Sequence, residues 1–401
     1  MSNTLPPTTS TRPIPGGVTA ARGFTAGAAT AGLKPSGATD LALVASDRPA
    51  ALAGVFTTNI VKAAPVLLCR ERVASGQGQA VIINSGNANA CTGEGGLSAA
   101  ERMAGAAATR LGIAADQVLV LSTGVIGVPL PVERVEAALP ALTLAPDGGD
   151  AAARAIMTTD TRPKTAAVEV ETAETTVRIG GMAKGSGMIC PTMATMLAVI
   201  TTDAVVAPAA LQLHLATAAA RSFNRIDVDG DMSTNDTVLV LANGASGATL
   251  PDESFAAALQ EVCTSLARQA AADGEGATKL IEATVTGAAT ERDAEGIARS
   301  IVGSSLTKAA MYGNDPNWGR IMCAAGYSGV RFDPDAAHLT VQDIPLFGGM
   351  PLPFDRAAAS AALRATEVRI VLDLGAGDAQ ATAWGCDLTP QYVHINADYT
   401  T

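Results

Sequence analysis

Short apolar runs alternate with alanine-rich stretches along most of this chain. Runs that are apolar throughout and bounded by polar residues or glycine are typical of buried strands. Such runs occur at Ala80–Asn84, Val118–Ser122, Val168–Thr172, Thr176–Met182, Met196–Thr201, Val238–Ala242 and Ile281–Thr286. Because strands and helices mix without strict βαβ alternation, the pattern predicts an α/β (α+β) protein built as a layered sandwich of β-sheets flanked by helices.

Three longer segments are predicted to be helices. Ser98–Leu111 begins with Ser98 and Glu101, which have the spacing of a capping box. Pro208–Arg221 starts with a proline, a residue favoured in the first turn of a helix. Ser254–Ala271 places its large apolar residues on one stripe, as a helix with a single buried face requires.

The length of 401 residues exceeds the usual size of one hydrophobic core, so more than one subdomain is expected. Residues 1–16 are rich in proline and threonine and lack an apolar segment, which predicts a disordered leader and not a signal peptide. Pro140–Asp150 is predicted to be a surface loop. Glu367–Leu374 and Gln380–Asp387 flank a glycine-containing turn and predict a β-hairpin near the C-terminal end.

Composition and charge argue against several classes of function. The net charge of −11 disfavours a nucleic-acid-binding surface, which needs clustered basic residues. No apolar stretch reaches the roughly 18 residues that a membrane span requires. The six cysteines are scattered, without a Cys-x-x-Cys pair or a histidine at ligand spacing. We therefore expect neither a metal site nor a disulfide framework, and the cytoplasm is the expected location.

The run Lys184–Asp203 contains the most informative candidate chemistry. A glycine-rich approach leads to Ala194 and then Thr195, after which an apolar strand begins at once. Scission of the Ala194–Thr195 bond would leave Thr195 with a hydroxyl nucleophile and a free α-amine. An α-amine has a pKa of roughly 7.7–8.0 and is a competent base at neutral pH. The alternative is that Thr195 merely opens a core strand.

Acyl transfer also needs donors for the developing oxyanion. The strand Val118–Ser122 ends in Thr123 and Gly124, whose hydroxyl and backbone N–H could both face such a charge. The alternative is an ordinary strand-end turn.

Other polar segments could line the same pocket. Met157–Thr161 places polar residues after a predicted helix, where they could cap it or contact a substrate. Glu275 lies between two glycines and is either a solvated acid or a carboxylate that binds an amine. Asp227–Asp236 lacks the glycine and glutamate positions of a calcium loop, which excludes an EF-hand. Cys190 has no histidine partner for a nucleophilic role, so an inert thiol is favoured.

Several longer motifs together resemble the ornithine acetyltransferase (glutamate N-acetyltransferase) family of arginine biosynthesis. The resemblance extends from about Gly17 to Thr401. The motifs that match are Gly54–Asn59, Asn84–Gly93, Ser122–Gly127, Met157–Asp160, Lys184–Asp203, Asp229–Val238, Asp315–Arg320 and Trp384–Thr389.

The resemblance implies an N-terminal-nucleophile fold with a smaller second domain. It implies self-cleavage between Ala194 and Thr195, giving an α chain (17–194, after the leader) and a β chain (195–401) that assemble as an α2β2 heterotetramer. Thr195 would be the acetylated nucleophile, and Thr123 and Gly124 the oxyanion donors. The implied substrate contacts are Thr158 or Thr159, Lys184, Thr195, Glu275, Asn396 and Thr401.

The implied reaction transfers an acetyl group from N-acetylornithine to glutamate. No cofactor or metal is expected, because exchange of one amide for another is nearly isoenergetic; acetyl-CoA is a candidate co-substrate. Three alternatives remain at this point. They are a self-processing aminopeptidase or amidase that passes the acyl group to water, a non-catalytic amino-acid-binding protein of the same fold, and a relative with a different acceptor.

Overall fold

A computed structural model of the protein describes residues 11–172, 175–190 and 196–398. Its strands are β1 (Thr11–Pro13), β2 (Phe24–Ala29), β3 (Leu41–Phe56), β4 (Gln77–Asn87), β5 (Val118–Val125), β6 (Lys164–Glu171), β7 (Thr176–Lys184), β8 (Leu197–Thr202), β9 (Ile226–Asp227), β10 (Thr237–Ala242), β11 (Leu280–Ala288), β12 (His338–Val341), β13 (Ile344–Gly348), β14 (Glu367–Asp373) and β15 (Ala379–Cys386). Its α-helices are α1 (Ala64–Val73), α2 (Gly93–Leu111), α3 (Val132–Ala138), α4 (Gly149–Ala155), α5 (Pro208–Ala220), α6 (Asp252–Ala272), α7 (Glu291–Gly303), α8 (Ser305–Tyr312), α9 (Trp318–Gly326), α10 (Arg356–Ala362) and α11 (Pro390–Asp398).

The larger sheet has nine strands in the order β1-β6-β7-β8-β10-β3-β4-β5, with β2 also paired to β3. The long strand β3 joins the two halves of this sheet. Its first part pairs with β2 and β4, and its last part pairs with β10. A register shift between Ala45 and Ala50 separates the two parts, as expected where a strand bends.

The two halves of the larger sheet pack face to face. Successive side chains of a strand point to opposite faces. In β4, Val81 and Ile83 lie in the same buried core as Val199 of β8 and Leu239 of β10, whereas Ile82 packs against α2 and α3. The other faces of β8 and β10 pack against α5 and α6. The order of layers is therefore helix, sheet, sheet, helix, which confirms the predicted layered sandwich.

A second, six-stranded sheet has the order β13-β12-β14-β11-β15-β9 and its own buried core with α7 and α9. It forms the smaller second unit expected from the sequence. Helix α6 links the two units, because it packs on β6 and β7 of the larger sheet and on β15 of the smaller one.

The predicted C-terminal hairpin is wrong, although both of its strands exist. β14 and β15 do not pair with each other, because β11 lies between them, parallel to β14 and antiparallel to β15. The connecting residues bond to the end of β11 instead: Leu374 N–H donates to Thr286 and Ala376 N–H donates to Gly287. Five residues easily span the two strand spacings of about 4.8 Å each that this insertion requires.

Most predicted element boundaries agree with the structure to within a few residues. The capping box is an exception, because α2 begins at Gly93 after Thr92, and Ser98 therefore lies inside the helix. Residues 1–10 lie outside the described part of the chain. Thr11–Pro13, assigned above to the leader, pairs with β6. Within the described residues, no helix is both long enough and apolar enough to cross a membrane.

Candidate active site

The ends of β4 and β5 form one wall of a small pocket. These strands are parallel, and Gly86 lies opposite Gly124 in their register. Gly124 has a φ of 130°, and a Cβ atom there would overlap the backbone of Gly86. Only glycine accommodates both the positive φ and the close approach. Thr123 and Gly124, the predicted oxyanion donors, are therefore held rigidly at the pocket wall.

Lys184, at the end of β7, connects two of the threonines in the pocket. Its Nζ donates to Thr158 Oγ1 at 2.8 Å and to Thr123 Oγ1 at 3.2 Å. A hydroxyl that accepts from an ammonium group keeps its own proton for donation to another acceptor. Burial lowers the pKa of Lys184, and the negative charge of Asp160 opposes this shift. The buried amino group of Lys184 thus faces the hydroxyl of Thr123.

Asp160 organises the residues behind this wall. Its Oδ1 accepts from Lys164 Nζ at 2.6 Å and from Gly185 N–H at 2.7 Å, and its Oδ2 accepts from Thr158 N–H at 2.9 Å. Burial alone would raise the pKa of Asp160, but the charges of Lys184 and Lys164 and these hydrogen bonds lower it to about 2. Lys164 Nζ also lies 2.6 Å from Asp273 Oδ2, so a buried ion triad supports the pocket.

Glu275 and Asn396 form another part of the pocket wall. Asn396 Nδ2 donates to Glu275 Oε2 at 2.8 Å, and Glu275 N–H donates to the carbonyl of Ser186 at 2.8 Å. A Cβ atom at Gly187 would overlap the Glu275 carboxylate, so this glycine allows the carboxylate to lie against the backbone. Thr159 Oγ1 is 2.7 Å from Ser186 Oγ, which anchors the second threonine of the pair beside this wall.

The structure brings together all the predicted site residues that it describes. Those that line this pocket are Thr123, Gly124, Thr158, Thr159, Lys184, Glu275 and Asn396. The sequence left open whether Thr158 or Thr159 contacts the substrate. Both line the pocket, and Thr158 accepts a hydrogen bond from Lys184. Ala194, Thr195 and Thr401 lie outside the described residues.

Other pocket residues were missed by sequence reasoning. Asn235 Nδ2 donates to the carbonyls of Ala88 at 2.7 Å and Ser122 at 2.8 Å, which ties the segment before β10 to the ends of β4 and β5. Thr234 Oγ1 donates to the side-chain oxygen of Asn235. The signal was present in the polar run Asp227–Asp236, which was rejected as a calcium loop and overlaps the matching motif Asp229–Val238, but no site role was assigned to its residues.

The sequence analysis also considered a cysteine nucleophile and a metal site, and the structure bears on both. Burial raises the pKa of Cys190 to about 11, so the thiol is protonated at neutral pH and is a poor nucleophile. Among the residues that the structure describes, no cluster of His, Cys, Asp and Glu side chains could hold a metal ion.

The fold and the pocket together define a class of protein. The helix–sheet–sheet–helix sandwich is the N-terminal-nucleophile-like fold that the motifs predicted, and one pocket in it holds the two predicted oxyanion donors, a buried lysine and a carboxylate. The chain belongs to the ArgJ family, whose family model matches residues 25–401.

Two relatives of nearly the same length support this assignment. The chain is 55% identical over 97% of its length to the arginine biosynthesis bifunctional protein ArgJ of Symbiobacterium thermophilum, covering 99% of that protein. It is 53% identical over 95% of its length to the protein of the same name from Thermus thermophilus, covering 98% of it. A solved structure of ornithine acetyltransferase complexed with ornithine, from Mycobacterium tuberculosis, is 43% identical, covers 47% of this chain and 100% of its own, and has a TM-score of 0.42. The family and the enzyme of arginine biosynthesis that the motifs predicted are thus confirmed.

Proposed function

We propose that this protein is an acetyltransferase that moves an acetyl group from N-acetylornithine to glutamate through an acetyl ester on Thr195. Membership of the ArgJ family supports the proposal. The observation that carries it is the register of β7 and β8, which pairs Lys184 with Leu197. The chain therefore enters the sheet beside the pocket two residues after Thr195.

Self-cleavage is the first reaction of the proposed scheme. The Thr195 hydroxyl attacks the carbonyl carbon of Ala194, the peptide bond becomes an ester, and the nitrogen takes up the proton that the hydroxyl loses. Water then hydrolyses the ester. The products are an α chain that ends at Ala194 and a β chain that starts with the Thr195 α-amine, which serves as the base in later turnovers.

Acetyl transfer follows at the same hydroxyl. The α-amine takes the hydroxyl proton as Thr195 attacks the acetyl carbonyl, and Thr123 and Gly124 donate to the developing oxyanion. One such donor is typically worth about 3 kcal/mol in the transition state. The α-ammonium returns the proton to the nitrogen of ornithine, which leaves. The amino group of glutamate then attacks the acetyl ester, the bond to the Thr195 oxygen breaks, that oxygen takes up the amine proton, and N-acetylglutamate is released. The exchange needs no cofactor.

The charges in the pocket suit amino-acid substrates. Lys184 and Glu275 both line the pocket, the first to supply a positive charge and the second a negative charge. A zwitterionic amino acid can direct its carboxylate toward the first and its ammonium toward the second. Thr158, Thr159 and Asn396 add polar contacts, and Thr401 is a further predicted contact. Acetyl-CoA would serve as a second donor, and the processed chains would assemble as α2β2.

The test is a pair of threonine variants. We expect the wild-type protein to give two fragments in denaturing mass spectrometry, one beginning at Thr195, and to form N-acetylglutamate from N-acetylornithine and glutamate. Thr195→Ala should remain one chain without activity. Thr217→Ala is the matched control, because Thr217 is exposed on α5 and its hydroxyl donates to the carbonyl of Leu213 in the same helix.

A processed and active Thr195→Ala variant would falsify the scheme. Acetate release from N-acetylornithine without glutamate would instead indicate the hydrolytic alternative. Formation of N-acetylglutamate from acetyl-CoA and glutamate would establish the second donor.

A further inference from the structure

The motif Trp384–Thr389 is among those that match the family, but it has no role in the reaction scheme above. It comprises the end of β15 and the three residues that lead to α11. Asp387 is buried in this connection, and its Oδ1 accepts from the N–H groups of Thr278 at 2.8 Å and Lys279 at 2.9 Å. The motif is therefore bound to the segment that leads from Glu275 into β11.

Thr389, the last residue of the motif, joins the same segment to α11. Its Oγ1 donates to the carbonyl of Gly276 at 2.7 Å and accepts from Gln391 N–H at 3.2 Å. Its carbonyl accepts from Tyr392 N–H at 3.2 Å. A threonine that precedes a helix and accepts from the second helical N–H is an N-cap. One hydroxyl therefore caps α11 and fixes its first turn to the residue after Glu275.

Gly276 allows this close approach. Its φ is 69°, and a Cβ atom there would lie 2.7 Å from the backbone nitrogen of Tyr392. A side chain would be strained by the backbone angle and would also crowd this nitrogen. The start of α11 thus lies directly against the backbone of the segment that carries Glu275.

No apolar core holds α11 in place. None of its nine residues, all of which the structure describes, is buried. The half-buried phenol of Tyr392 lies near carboxylates: burial raises its pKa, and the negative charges of Asp229 and Glu275 raise it further. Gln391 and Ile395 line a separate cavity of about 590 Å³. The position of α11 is therefore set mainly by polar contacts.

Asn396 carries the position of α11 to the active-site pocket, which it lines. It lies about two turns after Thr389. Its Nδ2 donates to Glu275 Oε2 at 2.8 Å and to the carbonyl of Tyr392 at 3.0 Å. Because a short helix moves as one body, a displacement of its first turn would draw Asn396 away from Glu275.

We propose that Thr389 is a positioning residue that holds Asn396 and Glu275 together, through α11, at the part of the pocket that binds the substrate ammonium group. The inference rests on the proposed function, in which Glu275 attracts that ammonium group. A single hydroxyl controls both members of the pair, since it bonds to the backbone beside Glu275 and caps the helix that carries Asn396. Its loss should weaken substrate binding and leave the chemical steps unchanged.

The test compares Thr389→Val and Thr389→Ser in acetyl transfer from N-acetylornithine to glutamate. Valine keeps the shape but neither donates to Gly276 nor caps α11, whereas serine keeps the hydroxyl and is an equally good cap. In Thr389→Val we expect KM for N-acetylornithine to rise about fivefold to tenfold, the size typical of one lost hydrogen bond, with kcat within about twofold of wild type. Thr389→Ser should restore KM to within about twofold of wild type.

Thr290→Val is the matched control. Thr290 caps α7 in the same way, because its hydroxyl accepts from Asp293 N–H at 3.1 Å, but it is exposed and does not line the pocket. Its substitution should leave KM unchanged. Hydrogen exchange compares the two variants directly: Thr389→Val should speed amide exchange in α11, and Thr290→Val in α7.

An unchanged KM in a folded Thr389→Val variant would overturn the inference. A serine variant as impaired as the valine variant, or an equal rise of KM in Thr290→Val, would overturn it as well. Each of these results would show that the effect does not come from the Thr389 hydroxyl acting on the pocket.

Asn396→Ala keeps the inference testable if Thr389→Val does not fold, because it changes an exposed side chain. It should raise KM for N-acetylornithine by a similar factor. An unchanged KM would overturn the inference, since α11 would then have no part in binding the substrate. Failure of the proposed function is distinguishable, because the wild-type protein would then form no N-acetylglutamate, whereas failure of the inference leaves wild-type transfer intact.

Discussion

At the scale of single residues, two glycines determine how closely the walls of the pocket approach. Gly124 allows β5 to lie against the backbone of Gly86, and Gly187 allows the carboxylate of Glu275 to lie against the chain. A side chain at Gly124 would overlap backbone atoms, and the φ of 130° also favours glycine, so this position requires it. A side chain at Gly187 would instead displace the carboxylate end of Glu275.

Gly124→Ala should destabilise the protein and reduce its activity. We expect a loss of a few kcal/mol in the free energy of unfolding, because the backbone strain of the positive φ and the overlap of the Cβ with Gly86 add to each other. We also expect kcat/KM to decrease by at least about 100-fold, as for loss of an oxyanion donor. Urea unfolding and steady-state kinetics measure both. Gly127→Ala is the matched control: it has a φ of 81° but open space around its Cβ position, so it should cost only about 1–2 kcal/mol. Equal effects of the two substitutions would show that overlap is not the reason for glycine.

Asp160 gives the protein a stability that depends on pH. Its pKa is lowered to about 2 in the folded protein, compared with about 3.9 for an unperturbed aspartate. The stabilisation is present above pH 4 and is lost as the pH falls toward 2, and it amounts to on the order of 2 kcal/mol. The difference in unfolding free energy between wild type and Asp160→Asn should therefore shrink between pH 5 and pH 2.

Urea unfolding measures this difference. The protein concentration must be the same in every experiment, because the unfolding midpoint depends on concentration when chains dissociate on unfolding. Asp150→Asn is the control, since Asp150 forms an exposed pair with Arg154. Its effect should stay below about 1 kcal/mol. A difference for Asp160→Asn that does not change with pH would contradict the argument.

Two of the site residues found from sequence share one property. Thr123 and Glu275 each lie next to a glycine at the end of a predicted strand or helix, so their type and position were both informative. Asp273 and Asn235 were missed because their function depends on partners far away in the sequence: Asp273 bonds to Lys164, and Asn235 to the end of β4. Periodicity contains no information about such contacts.

At the scale of elements, local patterns located the strands but not their partners. β14 and β15 each have the length and turn signal of a hairpin strand, and the prediction paired them for that reason. The insertion of β11 satisfies more backbone groups, because β11 bonds along both of its edges. The alternation of residues on β14 fits either neighbour equally well. Strand order is therefore decided by competition with distant segments, which local sequence does not reveal.

At the scale of the whole molecule, the proposed cleavage site divides the larger sheet in an unusual way. β8 and β10 follow Thr195 in the sequence, yet they lie between β7 and β3, which precede it. Backbone hydrogen bonds join the two segments along both outer edges of this strand pair. The smaller sheet, by contrast, consists only of strands from the later segment.

The two fragments should therefore remain associated after cleavage. Native mass spectrometry and size-exclusion chromatography should show both in one particle at a 1:1 ratio, and denaturant should separate them only as the protein unfolds. The shared core between the sheet halves and the buried triad of Lys164, Asp160 and Asp273 provide the physical reason. Fragments that elute separately in native buffer would contradict this expectation.

The position of β8 and β10 also has a genetic consequence. The two fragments are hydrogen-bonded to each other along two strand edges. Fragments from different molecules therefore cannot exchange unless the protein unfolds globally. Consider two inactive alleles, one with a mutation before residue 195 and the other with a mutation after it. The protein made from each allele would retain its own defective fragment. Mixing their purified products would restore no activity, and any complementation would have to arise while the polypeptides are first folding.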